Sequence, residues 1–259
     1  MHKISQKKSI IKKINSKGYC IIKNVFNKTD IEKYKEKIKF IYKKRREKGE
    51  SIGSTNNQCL YNFFKEDLRL MPLVFIKKLD PILKNIIEKN YVLQSSNAQN
   101  RMVEEIKTNK KAFKIGNTWH TDSRYVNNKR ISNSFSYLVI IALEDFTRDT
   151  ASTQFIENSL TYFNKPKRFQ NKKYKTLIMK SGSACIMDTG IVHRGGEPKD
   201  KSRWSIFNIY TPWFVKPYFN YKGLLKNKVS KLNSNEKKIL HYFSEPPISH
   251  NERINTFKS

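Results

Sequence analysis

His120 and Asp122 stand two residues apart in Trp119-His120-Thr121-Asp122, and Ile191-Val192-His193 and Arg203 lie further along the chain. On an extended strand, residues i and i+2 project to one face, so an imidazole and a carboxylate at this spacing can converge on one point. Two imidazoles and one carboxylate on one side of a metal, with other positions left open, form the ligand set of non-haem Fe(II) oxygenases. An HxD pair alone is common by chance, and a surface or core pairing explains it equally well. The downstream order of residues strengthens the metal reading. Ser181-Gly182-Ser183 forms a turn into the strand Ala184–Asp188, and His193 falls just past that strand, facing the same interior. Arg203 opens the alternating run Trp204–Tyr210, and Ser205 shares its face. A fixed guanidinium beside a hydroxyl suits a small carboxylate gripped through two oxygens.

The elements that must position these groups divide the chain into three parts. Residues 1–90 read as a helical layer, 91–218 as a β core, and 219–259 as a C-terminal helical segment and tail. A basic helix comes first, with Ile10, Ile11 and Ile14 on one face, and Gly18 then precedes the apolar strand Tyr19–Ile22. Thr29-Asp30-Ile31-Glu32 reads as a capping box with Thr29 at the N-cap. The helix it starts carries Ile31, Tyr34, Ile38, Ile41 and Tyr42 at helical spacing and should stop near Gly49. Residues 50–70 read as a loop ending in Tyr61, Phe63 and Phe64, aromatics expected in the core. A second helix is expected over 72–89, broken or restarted at Asp80-Pro81.

From Tyr91 the period shortens. Tyr91–Arg101, Ala112–Trp119, Ser136–Leu143, Ser152–Ile156, Lys175–Met179, Ala184–Asp188 and Trp204–Tyr210 are short runs of strand character separated by polar or Gly-containing turns. Many short strands without helices between them predict a sandwich or jelly roll. Asn233-Ser234-Asn235-Glu236 should cap a last helix. His2, His241 and His250 have no partner spacing and read as surface residues. Trp119 and Trp204 flank ligand positions and read as packing.

The chain of 259 residues carries a net charge of +30, from 52 Lys+Arg against 22 Asp+Glu. Such a surplus raises nucleic acid or an anionic surface as a partner. It is nevertheless spread along the chain, Lys far outnumbers Arg, and no basic stripe interleaved with aromatics stands out, so nucleic acid is not the expected partner. The most basic local stretch, between Glu157 and Asp188, reads as a solvated loop and strand edge. Cys20, Cys59 and Cys185 form no CxxC and read as reduced thiols. The N-terminus lacks the apolar region of a signal peptide, and no window reaches membrane-span length. A soluble, cytoplasmic protein is expected.

From about Tyr91 to Tyr218 the chain resembles the phytanoyl-CoA dioxygenase family of Fe(II)- and 2-oxoglutarate-dependent oxygenases. The resemblance rests on Trp119-His120-Thr121-Asp122, the strand leading to Ala142-Leu143-Glu144-Asp145, the Gly182 strand running into His193, Arg203, and the closing Asn208-Ile209-Tyr210-Thr211-Pro212-Trp213-Phe214. The opening Gly18-Tyr19 strand and the capped helix at Thr29 are similar to the family's entry. The resemblance implies a double-stranded β-helix, cupin-like, with flanking helices. It places His120, Asp122 and His193 on Fe(II), and Arg203 on the distal carboxylate of 2-oxoglutarate, with Ser205 beside it. Gln99 or Arg101 matches the polar residue that family members place on the preceding strand to touch the same co-substrate. The family's Pro-Gly-Ser-His turn is replaced by Glu157-Asn158-Ser159-Leu160. Halogenating relatives carry a small residue in place of the HxD carboxylate; Asp122 is present here, which favours hydroxylation or a related oxidation consuming O2 and releasing succinate and CO2.

Arg124 and Tyr125 come just after the HxD and Arg194 just after His193, positions from which an anionic small-molecule substrate could be contacted. The opposing reading pairs each Arg with a structural acid or with solvent. Two further readings are a nucleic-acid-modifying oxygenase and a non-catalytic binding protein on the same fold. The second predicts a broken triad, and the triad here is complete. Nothing in the sequence names the substrate or the oligomeric state.

Overall fold

The computed structural model describes residues 2–49, 57–101, 118–123, 125–126, 129–130, 135–161, 173–197, 199, 201–244 and 249–251. Helix α1 (His2–Lys17) leads through Gly18 into strand β1 (Tyr19–Ile22), and α2 (Lys28–Glu47) comes next. Helix α2 buries Ile31, Ile38 and Ile41, the stripe its periodicity predicts, and Gly49 stands just beyond it at φ +68. Its N-cap is Asn27 rather than Thr29: the Asn27 Oδ1 accepts the Asp30 N–H at 2.8 Å, and the Asp30 carboxylate accepts from Asn27 Nδ2 at 2.8 Å. Asn and Asp are at least as good as Thr in this role, so the helix starts two residues earlier.

Residues 50–70 are not all loop. Strand β2 (Asn57–Tyr61) forms there, and a 3-10 turn begins at Phe63, whose side chain is buried with that of Phe64 as expected. The helix expected over 72–89 restarts at Asp80-Pro81 as read, giving a short α3, Asp80–Ile86, with Pro81 in its first turn, while the part before it is a 3-10 segment, Leu68–Leu73, containing Pro72. The remaining strands are β3 (Val92–Arg101), β4 (Tyr125–Val126), β5 (Lys129–Arg130), β6 (Tyr137–Ala142), β7 (Gln154–Phe155), β8 (Lys175–Thr176), β9 (Ala184–Asp188), β10 (His193–Arg194) and β11 (Trp204–Thr211). Of the strand expected over Ala112–Trp119, residues 112–117 lie outside the described part. Two short helices follow β11, α4 (Tyr221–Leu225) and α5 (Ser234–Ile239), the latter with the expected Asn233/Glu236 capping box.

Every pairing is antiparallel. A six-stranded sheet runs β1-β9-β6-β11-β3-β2, a three-stranded sheet runs β10-β7-β8, and β4 pairs with β5. This is the expected jelly-roll architecture, with the larger sheet covered on both faces. Strand β6, Tyr-Leu-Val-Ile-Ile-Ala, is buried throughout because alternate residues serve two cores. Tyr137, Val139 and Ile141 join the helices in one cluster, while Leu138, Ile140 and Ala142 meet Phe146, Phe155, Leu177 and Met179 in the other. Each fully buried Leu or Ile contributes about 1.5–3 kcal/mol of transfer free energy, so neither core is dispensable.

Gly182 sets the entry to β9. It has φ +80, and a Cβ there would sit 2.6 Å from the Phe26 carbonyl oxygen. Its N–H donates to Ala142 O at 2.9 Å and its carbonyl accepts the Phe26 N–H at 3.0 Å, fixing where the strand towards His193 begins. His241, expected at the surface, is buried: its Nε2 lies 3.0 Å from Leu93 O and its ring stacks on Tyr221. An αL backbone at φ +65 just after the last helix turns it inward. Trp204 packs as expected, edge-on to Tyr42.

Candidate metal centre and cofactor pocket

His193 lies on β10 and His120 lies beside it. The two peptide groups bond in both directions, His120 N–H to His193 O at 2.9 Å and His193 N–H to His120 O at 2.8 Å. This bridge brings the imidazole rings to a centroid separation of 4.5 Å. Asp122 then reaches both: its Oδ1 is 3.9 Å from His120 Nε2 and its Oδ2 is 3.5 Å from His193 Nε2. One donor atom from each of the three residues lies within 4.8 Å of the others.

The chemistry of the donor set fits a metal. His120 Nδ1 is 2.8 Å from Thr118 O and His193 Nδ1 is 3.0 Å from Ile191 O. A carbonyl accepts only from N–H, so each Nδ1 carries the proton and each Nε2 presents its lone pair to the centre. Donors held about 2.1 Å from an ion stand roughly 3 Å apart when adjacent, so small side-chain rotations close this set around one ion. His193 is buried, Asp122 is partly covered, and His120 is the exposed member, which leaves the open side of the centre on the solvent edge.

Two hydroxyl residues outside the triad hold its backbone. Thr189 O accepts the N–H groups of Asp122 (3.0 Å) and Ser123 (3.1 Å), and the Thr189 hydroxyl stands 2.7 Å from Ser123 Oγ and 2.5 Å from Ser136 Oγ. The buried Ser159 hydroxyl donates to Ile156 O at 2.7 Å and accepts the Val192 N–H at 2.9 Å, one residue from His193.

Arg203 is buried at the far end of the same interior. Its Nη1 donates to Ser205 Oγ at 2.7 Å, its Nη2 donates to Ala151 O at 2.7 Å, and its guanidinium carbon sits 3.6 Å from the centre of the Phe146 ring. Ser205 is opposite both Gln99 on β3 and Ala142 on β6. Ala142 belongs to the inner core, so Ser205 and Gln99 face inward with it. Phe155 is paired with His193, and Ala151 lies four residues earlier, about 13 Å along an extended chain. Arg203 therefore bonds to the segment that runs into the strand partner of His193.

A model of the family described as phytanoyl-CoA dioxygenase (PhyH) matches residues 14–203, most of the chain. The chain belongs to that family. As a phytanoyl-CoA dioxygenase family member it is a 2-oxoglutarate-dependent non-haem iron oxygenase, with Fe(II), 2-oxoglutarate and O2 as its cofactor set. Three solved structures share its fold. The non-heme alpha ketoglutarate dependent epimerase SnoN from nogalamycin biosynthesis is 12% identical with a TM-score of 0.62, over 83% of this chain and 86% of that one. HygX from Streptomyces hygroscopicus, with nickel and 2-oxoglutarate bound, is 9% identical with a TM-score of 0.62, over 82% and 89%. The carbocyclase SnoK from nogalamycin biosynthesis is 13% identical with a TM-score of 0.62, over 87% and 91%. No curated protein sequence matches the chain. Among the described residues no helix is long and apolar enough to cross a membrane.

The remaining candidate residues of this family member are less converged. Arg124 and the side chain of Tyr125 lie outside the described part. Arg194 alternates with His193 on β10 and is paired with Gln154, so its side chain leaves the opposite face of the strand. There its Nε donates to Gln154 Oε1 at 2.8 Å, and its guanidinium stacks on Trp119 (4.4 Å) and Tyr174 (5.5 Å). Among the described residues, two aromatic faces and an amide hold it. Residue type and spacing do not single out Thr189, Ser159 or Tyr61 as site residues. Ser159 stands where the family's Pro-Gly-Ser-His turn would fall, which is the one available signal. Thr189 contributes mainly a carbonyl, which any residue type has, so it leaves no signal. Burial, then Cys59, Tyr218 and Asp122, push the Tyr61 phenol above its ordinary pKa, so this aromatic lies within electrostatic reach of the metal donors.

Proposed function

We propose that this oxygenase hydroxylates an unactivated C–H bond of a small molecule, releasing succinate and CO2. His120, Asp122 and His193 would hold Fe(II), and Arg203, Ser205 and Gln99 would hold 2-oxoglutarate. The observation that carries this reading is the pair of reciprocal backbone hydrogen bonds between His120 and His193, with both Nε2 lone pairs and the Asp122 carboxylate turned to one point. When bound, Fe(II) supplies O2 activation coupled to oxidative decarboxylation of the co-substrate.

The chain's own residues position and screen. Arg203, desolvated and already bonded to Ser205, offers a fixed cation to a distal carboxylate at no reorganisation cost. Leu138, Ile140 and Met187 keep the inner face dry, which strengthens every charge interaction there. With Asp122 present, the carboxylate would occupy the metal position that a halide would need, so the site would suit hydroxylation rather than halogenation. Arg124 and Tyr125 are proposed substrate contacts beyond the HxD. Arg194 acts as a brace, its stack on Trp119 holding the segment that enters His120. We place the work in the cytoplasm, with residues 91–218 as the catalytic core between helical segments 1–90 and 219–259. HygX has been crystallised with hygromycin B, and a small-molecule substrate is proposed here on the same footing.

The test is anaerobic addition of 2-oxoglutarate to the Fe(II) protein, monitored through the visible metal-to-ligand charge-transfer band. The band should appear in the wild type and vanish in His193→Ala. A folded, iron-loaded wild type that shows no band removes the proposal.

A further inference from the structure

Several aromatic side chains stand exposed at the metal end of the sandwich: Tyr61 (44%), Phe135 (38%), Trp213 (47%), Phe214 (60%) and Tyr218 (47%). Single exposed aromatics need no explanation, but three rings in contact beside a polar site, Phe135, Phe214 and Trp213, do. Phe214 meets Phe135 at 6.3 Å and Trp213 at 5.9 Å, with interplanar angles of 82° and 85°. Rings set nearly perpendicular present one face and one edge, a corner that a third flat ring can occupy by stacking on one and meeting the other edge-on.

Position ties the group to the metal centre. Phe135 adjoins Ser136, whose hydroxyl is 2.5 Å from that of Thr189, and the Thr189 carbonyl accepts the Asp122 N–H. On the other side Tyr61 pairs with Asn97, and Asn97 with Phe207, whose side chain packs into the inner core. Tyr61 and Asn97 therefore line the inner face two residues nearer the mouth than Gln99.

The group is also held in place. Pro212 and Pro217 flank the Trp213–Lys216 turn, which is closed by Val215 N–H to Pro212 O at 3.1 Å. Glu88 accepts the Trp213 N–H, Gln94 O accepts the Tyr218 N–H at 3.0 Å, and Arg45 donates to Tyr61 O at 3.0 Å. Surface aromatics fixed before any ligand arrives lose little freedom on binding one. At the inner edge of the group, Asn97 is buried, and its Oδ1 has no hydrogen-bond partner among the described residues. Leaving a buried acceptor unpaired costs about 1–3 kcal/mol, a cost that a ligand donor removes.

We propose that Tyr61, Phe135, Trp213 and Phe214 form the substrate platform of this oxygenase and select a molecule bearing a flat ring with O–H or N–H donors, one of which bonds to Asn97. This rests on the proposed oxygenase activity and names its substrate class. An acyclic acyl chain would leave both the perpendicular aromatic corner and the Asn97 oxygen unused.

The experiment is anaerobic titration calorimetry of the Fe(II)- and 2-oxoglutarate-loaded protein with two probes, phenyl β-D-glucoside (a ring with hydroxyl donors) and octanoate (a chain). The glucoside should bind more tightly. Trp213→Ala and Phe214→Ala should each weaken it several-fold to about ten-fold. Phe214→Leu, which keeps apolar bulk without a ring and guards against a folding defect, should weaken it too, as should Asn97→Ala. The proposal is overturned if octanoate binds as well as the glucoside, or if the platform variants leave glucoside binding unchanged. It is equally overturned if sedimentation shows that the same variants abolish self-association of the wild type, which would make the aromatic group an interface between copies. The charge-transfer band of the wild-type sample separates the two claims. No band sinks the oxygenase activity whatever the glucoside does, whereas a band without ring preference sinks the platform alone.

Discussion

His120 and His193 are joined by two reciprocal peptide hydrogen bonds, at 2.9 and 2.8 Å, so the two imidazoles are positioned by one backbone bridge. Among the described residues, this bridge and the Thr189 carbonyl hold the backbone of the HxD segment. Whatever stabilises the His193 segment therefore also sets where His120 stands.

Ser159 is the nearest such support. Replacing it with Ala leaves the buried Val192 N–H without an acceptor, beside His193. We expect a loss of about 1–3 kcal/mol in urea unfolding and roughly ten-fold weaker Fe(II) binding by metal titration, as for other residues that hold a ligand in place. Unchanged stability and affinity would show that the turn carries no such load.

Arg203→Lys keeps the charge but removes the fork that reaches Ser205 and Ala151 O together. The 2-oxoglutarate concentration giving half-maximal charge-transfer absorbance should rise by about ten-fold or more, while Fe(II) affinity stays the same. Equal loss of both would mean that Arg203 supports the fold rather than the co-substrate.

Asn27, not Thr29, caps α2. Asn27→Ala should cost about 1 kcal/mol of unfolding free energy, and Thr29→Ala a few tenths at most. The reverse order in a denaturation series would restore the Thr29 cap.

Asp67 ties α2 to the adjoining 3-10 segment, accepting from Arg69 at 2.7 Å and from Lys37 at 2.9 Å. The Arg69 guanidinium first, then Lys37 and the Arg69 backbone, hold its carboxyl well below the usual carboxylate range. A depressed folded-state pKa means the contribution is complete above the unfolded value near 3.8 and is lost as the pH falls below it. Asp67→Asn should therefore destabilise at pH 7 by about 1–2 kcal/mol, and the gap to wild type should narrow below pH 3.8. A gap independent of pH would assign the effect to packing.

Much of this fold is legible in the sequence. Strands β3, β6, β7, β8, β9 and β11 show themselves by short apolar runs and by Gly182, and the His-Asp-His set by residue type, whereas the two-residue strands β4, β5 and β10 leave no run. Less is legible where chemistry is carried by groups common to all residues. Thr189 acts mainly through a carbonyl, and the His120–His193 bridge through backbone hydrogen bonds, so neither leaves a compositional trace. Tyr61 comes after a Gly- and Asn-rich stretch that reads as loop, which hides both β2 and the inward register that takes this aromatic to the mouth while Phe63 and Phe64 enter the core. His241 reads as a surface residue because its spacing carries no partner. Its αL backbone and its bond to Leu93 O become visible only once the helix has ended.

The central claim is that the three donors make this protein an oxygenase. The direct measurement is succinate formed from 2-oxoglutarate with Fe(II), ascorbate and O2, comparing wild type with His120→Ala and Asp122→Ala over a long incubation, because turnover without the substrate is slow. Succinate should form with the wild type and fall at least about 100-fold in both variants. Equal succinate from all three proteins, or none from a folded and iron-loaded wild type, would contradict it.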